Sequence, residues 1–346
     1  MTSLTAKRLL PVYLLMILWQ DSDEDHPLKQ TELVQLLQDR FALTVDRKTI
    51  QRNLTDLLGL DIGIEYGSKT RTVRPKSGEV YDSDVLTDVY LSHAFTDGEL
   101  RLLIDSVLFS KSIPSHQGDQ LIAKMAHLAS KYFSMRTQYV LRIDDQRPEN
   151  TNLFYTIEVL HEAIAQQKKV VFFYNSYGTD KQMHRRRDAN GKVRSYTVNP
   201  YQMAIANGRY YLICSNDKYD NLANYRLDRM TDIKLSSEKA RIIPEVRGLD
   251  MAKHLREHLY MFAGPSLRVT FRAKKMLLDD IIDWFGNDVT FKAKDEQTVT
   301  AEVYVNETSM QLWALQYAPY VTVLKPKSLV QNIKAGLTQA LKQYDQ

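Results

Sequence analysis

Asp46-Arg47-Lys48-Thr49-Ile50-Gln51-Arg52-Asn53-Leu54-Thr55-Asp56-Leu57-Leu58 begins with a residue whose carboxylate can accept from the free amides of a first helical turn. Ile50, Leu54, Leu57 and Leu58 recur at helical spacing and define one apolar face. Arg47, Lys48, Gln51 and Arg52 occupy the other face, with Thr49 and Asn53 beside them. Side chains of these types near a helix N-terminus can reach base edges and phosphates in a major groove. An ordinary solvated helix face would also carry cations, so the reading rests on what surrounds the helix.

Upstream, Val12 to Trp19 reads as a helix, and Leu28, Leu33, Leu36 and Leu37 give a second amphipathic pattern. Downstream, Ile62-Gly63-Ile64-Glu65-Tyr66 alternates like a strand, Gly67-Ser68 is expected to turn it, and Arg71-Thr72-Val73-Arg74 to return. Lys69, Arg71 and Arg74 then sit where a wing would meet the DNA backbone or minor groove. From Arg40 to Lys76 there are eight Lys/Arg (positions 40, 47, 48, 52, 69, 71, 74, 76) against four acids (46, 56, 61, 65). Three helices and a basic hairpin predict a winged helix-turn-helix over residues 1–80, with double-stranded operator DNA as its partner.

The whole chain has 346 residues, enough for two to four domains. Its 44% apolar and 25% charged residues are those of a globular protein. Cys214 is the single cysteine, which excludes a disulfide framework and a cysteine-rich zinc site and suits a reducing cytoplasm. The net charge of +4 is too small to point to a partner by itself. Leu9 to Trp19 follows Lys7-Arg8 like a leader, but it is short, holds Pro11, and runs into an acidic stretch with no cleavage site. The expectation is a buried first helix in a cytoplasmic protein with no membrane partner.

Residues 81–150 read as a helical connector, with a capping box at Thr96-Asp97-Gly98-Glu99 and a linker at Asp144 to Asn150. Over 151–240 a helix, Leu153 to Ala165, leads into short strands. Ala189-Asn190-Gly191 and Asn207-Gly208 are turn signals, and the spacing suggests a small antiparallel barrel. Residues 241–346 run strand-helix-strand-strand-helix-strand and end in a helix, the ferredoxin-like order. The fold class expected is therefore α+β and multidomain.

The strand-rich segment holds a second basic cluster: His184-Arg185-Arg186-Arg187, Arg194, Arg226 and Arg229. Tyr174, Tyr177, Tyr196, Tyr201, Tyr210 and Tyr211 interleave with it. Arginine forks grip phosphate or carboxylate, and tyrosine adds stacking surface, so the set suits an anionic, nucleotide-like ligand. Ordinary surface strands have the same composition. If Arg226-Leu227-Asp228-Arg229 is a strand, Arg226 and Arg229 lie on opposite faces, and they share a pocket only if the chain bends. His254-Leu255-Arg256-Glu257-His258 matches the order of inverted zinc peptidases, but no third ligand is placed to help, and it is read as chance. Cys214 lies in an apolar strand without an activating base. No catalytic residue, cofactor or metal is expected, and the protein is read as a binder rather than an enzyme.

Three segments, Tyr196-Thr197-Val198-Asn199-Pro200-Tyr201, Asn207-Gly208-Arg209-Tyr210-Tyr211-Leu212 and Tyr225-Arg226-Leu227-Asp228-Arg229, resemble the WYL domain of bacterial transcriptional regulators. Arg47 to Leu54 resembles the recognition helix of their DeoR-like winged helix-turn-helix, Thr96 to Leu103 their connector, and Leu267 to Leu341 their C-terminal WCX extension. The resemblance implies a ligand-responsive homodimer whose Sm-like WYL barrel binds a nucleotide or nucleic-acid effector. It departs at the name-giving tryptophan, which is Tyr210 here, at Tyr196, where histidine is frequent, and at Asn53, where aspartate is frequent. DNA contacts are expected from Arg47, Lys48, Thr49, Gln51, Arg52, Asn53, Lys69 and Arg71. Effector contacts are expected from Tyr196, Tyr201, Tyr211, Arg226 and Arg229, with Arg185 and Arg194 nearby. The alternative is a phage-defence or DNA-damage regulator that binds a single nucleic-acid strand directly at the WYL site.

Overall fold

A computed structural model of the chain describes residues 8–73, 80–136, 152–246 and 250–344. The fold is mixed helix and sheet in two compact units, one over Met1–Phe109 and Ser115–Gln146, the other over Ser110–Pro114 and Arg147–Gln346. Among the described residues no helix is long and apolar enough to cross a membrane. The expected segments 1–80 and most of 81–150 fall in the first unit, and 151–240 and 241–346 in the second.

In the first unit α1 (Leu10–Asp21), α2 (Gln30–Phe41) and α3 (Arg47–Leu58) pack through Leu14, Ile17, Leu33, Leu37, Ile50 and Leu54, all fully buried. The hairpin differs from the sequence reading. Gly67-Ser68 does not turn the chain; β1 runs unbroken from Ile64 to Val73, and the return strand is β2 (Tyr81–Leu91), where helix was expected. The register shifts between Glu65 and Gly67, and Asp88 takes a φ of 52° in the extra residue of β2. That bulge accounts for the helix-like pattern of the strand. It puts Leu86, Val89 and Leu91 on the core side, an interval of three that mimics a helix turn. Arg74 and Lys76 lie outside the described residues, as does the linker at Asp144 to Asn150.

Helices begin only at α4 (Asp97–Phe109), followed by α5 (Ser115–Ala126) and α6 (Lys131–Arg136). Thr96 and Glu99 form the expected reciprocal cap: the Thr96 amide donates to the Glu99 carboxylate, and the Glu99 amide to the Thr96 hydroxyl. Buried Asp21 anchors the far end of α1, accepting from Arg40 and from Lys131.

The second unit carries two sheets. The helix α7 (Leu153–Ala165) packs across β3 (Lys168–Tyr177), β5 (Ser195–Ala206) and β8 (Met230–Lys239). Between them run β4 (Met183–Arg185), β6 (Arg209–Ser215) and β7 (Leu222–Arg226). The antiparallel ladder is β8-β3-β5-β6-β7, with β4 extending β3. Asn207 and Gly208, with φ of 51° and 71°, make the tight β5–β6 turn, a conformation that favours glycine and asparagine. One turn of 3-10 helix at Leu227–Arg229 joins β7 to β8, the two ends of this ladder.

After α8 (Met251–Glu257) come β9 (Ser266–Lys274), α9 (Leu278–Phe285), β10 (Thr290–Lys294), β11 (Thr298–Asn306), α10 (Glu307–Gln316), β12 (Val321–Lys325) and α11 (Lys327–Tyr344). Their sheet order is β10-β11-β9-β12, every neighbour antiparallel. One face buries Val269, Phe271, Ala301 and Val303 against Ile281, Phe285 and Trp313 of the two helices.

The two histidines of α8 stack at 3.9 Å, with the rings inclined by 30°. His258 Nδ1 meets the His254 carbonyl at 2.8 Å and Nε2 meets the Gly264 carbonyl at 3.2 Å. The rings are thus engaged in packing. Burial, and then the neighbouring His258 charge, push the His254 pKa down to about 4. A histidine titrates near 6.5 in an unfolded chain, so between those values the unfolded state binds a proton that the folded state does not. The contribution of His254 is fully present above about pH 6.5 and lost as the pH falls towards 4. Urea unfolding at pH 7.5 and pH 4.5 is expected to show wild type losing more stability than His254→Gln, by up to ~3 kcal/mol. Equal losses in the two proteins would remove the assignment.

Candidate functional site

In the first unit, Asp46 caps α3 as the sequence predicts: it accepts from the Thr49 amide and hydroxyl, both at 2.9 Å, and these bonds hold its carboxyl below the usual carboxylate range. The polar face of α3 then divides. Arg47, Lys48 and Arg52 are exposed and make no ion pair among the described residues. Thr49 is held by its cap, and Asn53 donates to the Thr49 carbonyl at 2.7 Å. Gln51 is not free at all. Its side-chain oxygen accepts from the Leu86 amide at 3.2 Å and from Gln30, which itself donates to the Leu86 carbonyl at 2.9 Å. It ties α3 to α2 and β2 and is a structural residue. Lys69 is exposed on β1 opposite Val85, and Arg71 lies two positions on, opposite Ser83.

In the second unit the arginines are placed by a buried carboxylate. Asp228 is 1% exposed and lies in the 3-10 turn. Arg226 grips it with two bonds, Nε to Oδ1 at 3.0 Å and Nη2 to Oδ2 at 2.6 Å. Arg209 adds a third at 3.2 Å. The expected continuous strand therefore ends at Arg226, because the chain must turn to bring Asp228 back under it. Asn175, buried on β3, donates to the Arg229 carbonyl at 2.9 Å and to the Thr231 hydroxyl at 3.1 Å, which fixes the turn from the other side.

Beside this turn Phe172, Tyr174, Tyr196 and Tyr225 form an aromatic box with ring centroids 5.0–6.4 Å apart. The Tyr174 hydroxyl accepts from the Arg226 amide at 3.1 Å. Arg186 lies over Tyr174 at 4.9 Å, Arg194 over Tyr196 at 4.7 Å, and Arg229 over Tyr177 at 5.9 Å. Burial raises the Tyr174 pKa, opposed by the Arg226 amide and by the charges of Arg229, Arg186 and Arg226. None of Arg186, Arg194 and Arg229 has a carboxylate partner among the described residues, and the Arg229 Nε is buried without a hydrogen bond. Three unpaired guanidiniums on aromatic rings are suited to an anion with a flat, stackable part.

The structure does not bring the other expected residues to that place. Tyr196 is there, but as a wall of the box, 6% exposed. Tyr211 lies on the opposite face of β6, packed with Ala204, Ile213 and Met261. Tyr201 bonds Ser215 at 2.6 Å and the Arg241 carbonyl at 2.7 Å. Arg185 stacks on Phe173 at 4.3 Å and pairs with Asp232. Arg226 is committed to Asp228. Arg186, a member of the basic cluster beyond the expected site residues, joins Arg194 and Arg229 in having no carboxylate partner among the described residues. Among the described residues no group of three or more His, Cys, Asp or Glu is arranged to hold a metal.

Residues 155–235 match the family model of the WYL domain. No curated protein matches the chain. Among solved structures it is similar to proteasome accessory factor B/C (PafBC) of Arthrobacter aurescens, at 14% identity and a TM-score of 0.27, over 97% of this chain and 49% of that one. It is also similar to a CRISPR Cas-related protein at 11% identity and a TM-score of 0.36, over 99% and 85%. The chain spans about half the length of the PafBC chain.

Removing the carboxylate at 228 strands two guanidiniums that were packed around it. Asp228→Ala is expected to lower unfolding stability by ~3–5 kcal/mol in urea titrations. A loss below ~1 kcal/mol, the range of surface ion pairs, would show that Asp228 does not organise this turn.

Proposed function

We propose that the chain is a DNA-binding transcriptional regulator controlled by an anionic effector. In this reading α1–α3 with β1 and β2 are a winged helix-turn-helix, α3 being the helix that enters the major groove. Residues 151–240 are an Sm-like WYL barrel, and 241–346 are a ferredoxin-like WCX extension. The observation that carries the reading is the exposed trio Arg47, Lys48 and Arg52 on α3, with Lys69 on the adjoining strand. A capped helix fixed to its hairpin through Gln51 holds those cations in a constant relation to one another, which groove recognition requires.

The effector is a nucleotide or nucleic-acid fragment held by Arg186, Arg194 and Arg229 over the aromatic box. It acts by binding one arrangement of the regulator better than another, since only differential affinity shifts a conformational equilibrium. The regulator works as a homodimer, because one winged helix reads a short half-site and two-fold proteins space two heads about one DNA turn, ~34–36 Å, apart. In this reading the chain is a binder; Cys214, its single cysteine, is buried and burial pushes the thiol pKa far up, so it supplies no nucleophile.

Duplexes enriched from a random pool by the full chain supply the probe for the test. Arg47→Ala and Arg52→Ala are each expected to weaken binding to such a duplex by ~1–3 kcal/mol at fixed salt, with melting temperature unchanged. Fluorescence anisotropy reads the affinity. Unaltered binding in both folded variants would take α3 out of the groove.

A further inference from the structure

The sheet of the C-terminal region has a second face, which neither the DNA contacts nor the effector site uses. Along β9 the side chains alternate. Val269, Phe271 and Ala273 enter the core, so Arg268, Thr270, Arg272 and Lys274 project from the other side. On β11, Val299, Ala301 and Val303 go inward, which leaves Thr300, Glu302 and Tyr304 outward. The helices α9 and α10 cover only the inward face, through Ile281, Phe285 and Trp313.

Charge on this outward face is one-sided. Its carboxylate, Glu302, is taken up by two cations, Lys292 at 2.7 Å and Arg268 at 3.1 Å. The bond from Lys292, with the charge of Arg268, holds the Glu302 carboxyl below its usual range, so it stays ionised and occupied at neutral pH. Arg272 and Lys274 are exposed and have no carboxylate partner among the described residues. Two aromatic rings complete the face: Tyr304, 50% exposed with Lys253 at 5.8 Å, and Tyr320, 41% exposed with Lys274 at 5.4 Å. Arg272 stands between Thr300 on one neighbouring strand and Thr322 on the other. Both of these in-register neighbours are short side chains.

We propose that this open sheet face is a binding site for single-stranded RNA, with Arg272 and Lys274 on the phosphates and Tyr304 and Tyr320 stacking on bases. A sheet face with cations that lack a carboxylate partner among the described residues and with exposed rings matches an unpaired strand, whose bases are available for stacking, and not a duplex, whose bases are closed. The choice of RNA over DNA comes from Thr300 and Thr322. Their hydroxyls make no hydrogen bond among the described residues and flank the central cation, where a ribose 2′-hydroxyl would find both a donor and an acceptor. This inference does not depend on the DNA or effector assignments, because it uses none of their residues.

The test uses the full chain and fluorescence anisotropy with a short fluorescein-labelled RNA of mixed sequence, and a DNA strand of the same sequence. Wild type is expected to prefer the RNA. The pair Arg272→Gln and Lys274→Gln is expected to weaken RNA binding about tenfold, and to reduce the slope of log affinity against log salt by ~0.7 for each phosphate contact removed. The same decrement is expected when Arg186→Gln and Arg194→Gln are already present, which separates this face from the effector site. A second pair, Thr300→Val with Thr322→Val, leaves the charges in place and is expected to erase the preference for RNA; it carries the test if the first pair fails to melt cooperatively. Equal affinity of wild type for the DNA strand, unchanged RNA binding in a folded Arg272→Gln, Lys274→Gln protein, or a decrement that vanishes in the Arg186→Gln, Arg194→Gln background would each overturn the proposal. So would binding of labelled polyglutamate that falls in this variant while RNA binding does not, since the face would then belong to an acidic polypeptide.

Discussion

Asp228 is the charge around which the turn between β7 and β8, and the arginines beside it, are arranged. A carboxylate with 1% exposure would be costly in isolation, and it persists because Arg226 and Arg209 satisfy both its oxygens. Reaching those partners forces the chain out of β7 into a single 3-10 turn. The turn sends Arg226 and Arg229 in different directions. One guanidinium is neutralised by Asp228, and the other emerges over Tyr177 with a buried Nε and no carboxylate partner among the described residues. A sheet that merely needed an ion pair would have no use for the second cation.

A similar division of labour runs through the first unit. Gln51 sits among cations on α3, yet it serves the fold, bonding the β2 backbone and Gln30. Thr49 and Asn53 look like reading residues and are held by Asp46 and by the helix backbone. Arg47, Lys48 and Arg52, without an ion pair among the described residues, are a narrower and more definite surface than the composition of the helix implied. In both units, subtracting the polar groups that the structure already satisfies leaves a few cations with no carboxylate partner among the described residues.

Local chemistry was legible in the sequence. The Asp46 cap, the Thr96–Glu99 box and the Asn207-Gly208 turn depend on neighbours within a few residues, and each was found where its signal lies. Long-range pairing was not legible. Gln51 and Leu86 are 35 residues apart, and nothing near either announces the bond. The bulge at Asp88 gave a strand the period of a helix and hid half of the hairpin. At Arg226 to Arg229 alternation predicted opposite faces, and the need to bury Asp228 replaced the strand with a turn. For the tyrosines composition gave the right types, but whether a ring lines a box, as Tyr196 does, or packs on the far face, as Tyr211 does, depends on strand register.

The central claim is that the site is made by cations that lack an internal partner, and Arg229 and Arg185 separate it from mere basicity. Both carry the same charge, Arg185 on β4 and Arg229 in the 3-10 turn, but Arg185 is paired with Asp232 and Arg229 has no carboxylate partner among the described residues. Calorimetric titration of 5′-phosphorylated dinucleotides into wild type, Arg229→Ala and Arg185→Ala compares them directly. The account predicts binding to wild type, a loss of ~1.5–3 kcal/mol for Arg229→Ala, on the order of tenfold to a hundredfold in affinity, and little change for Arg185→Ala. Equal losses in the two variants, or none in Arg229→Ala, would contradict it.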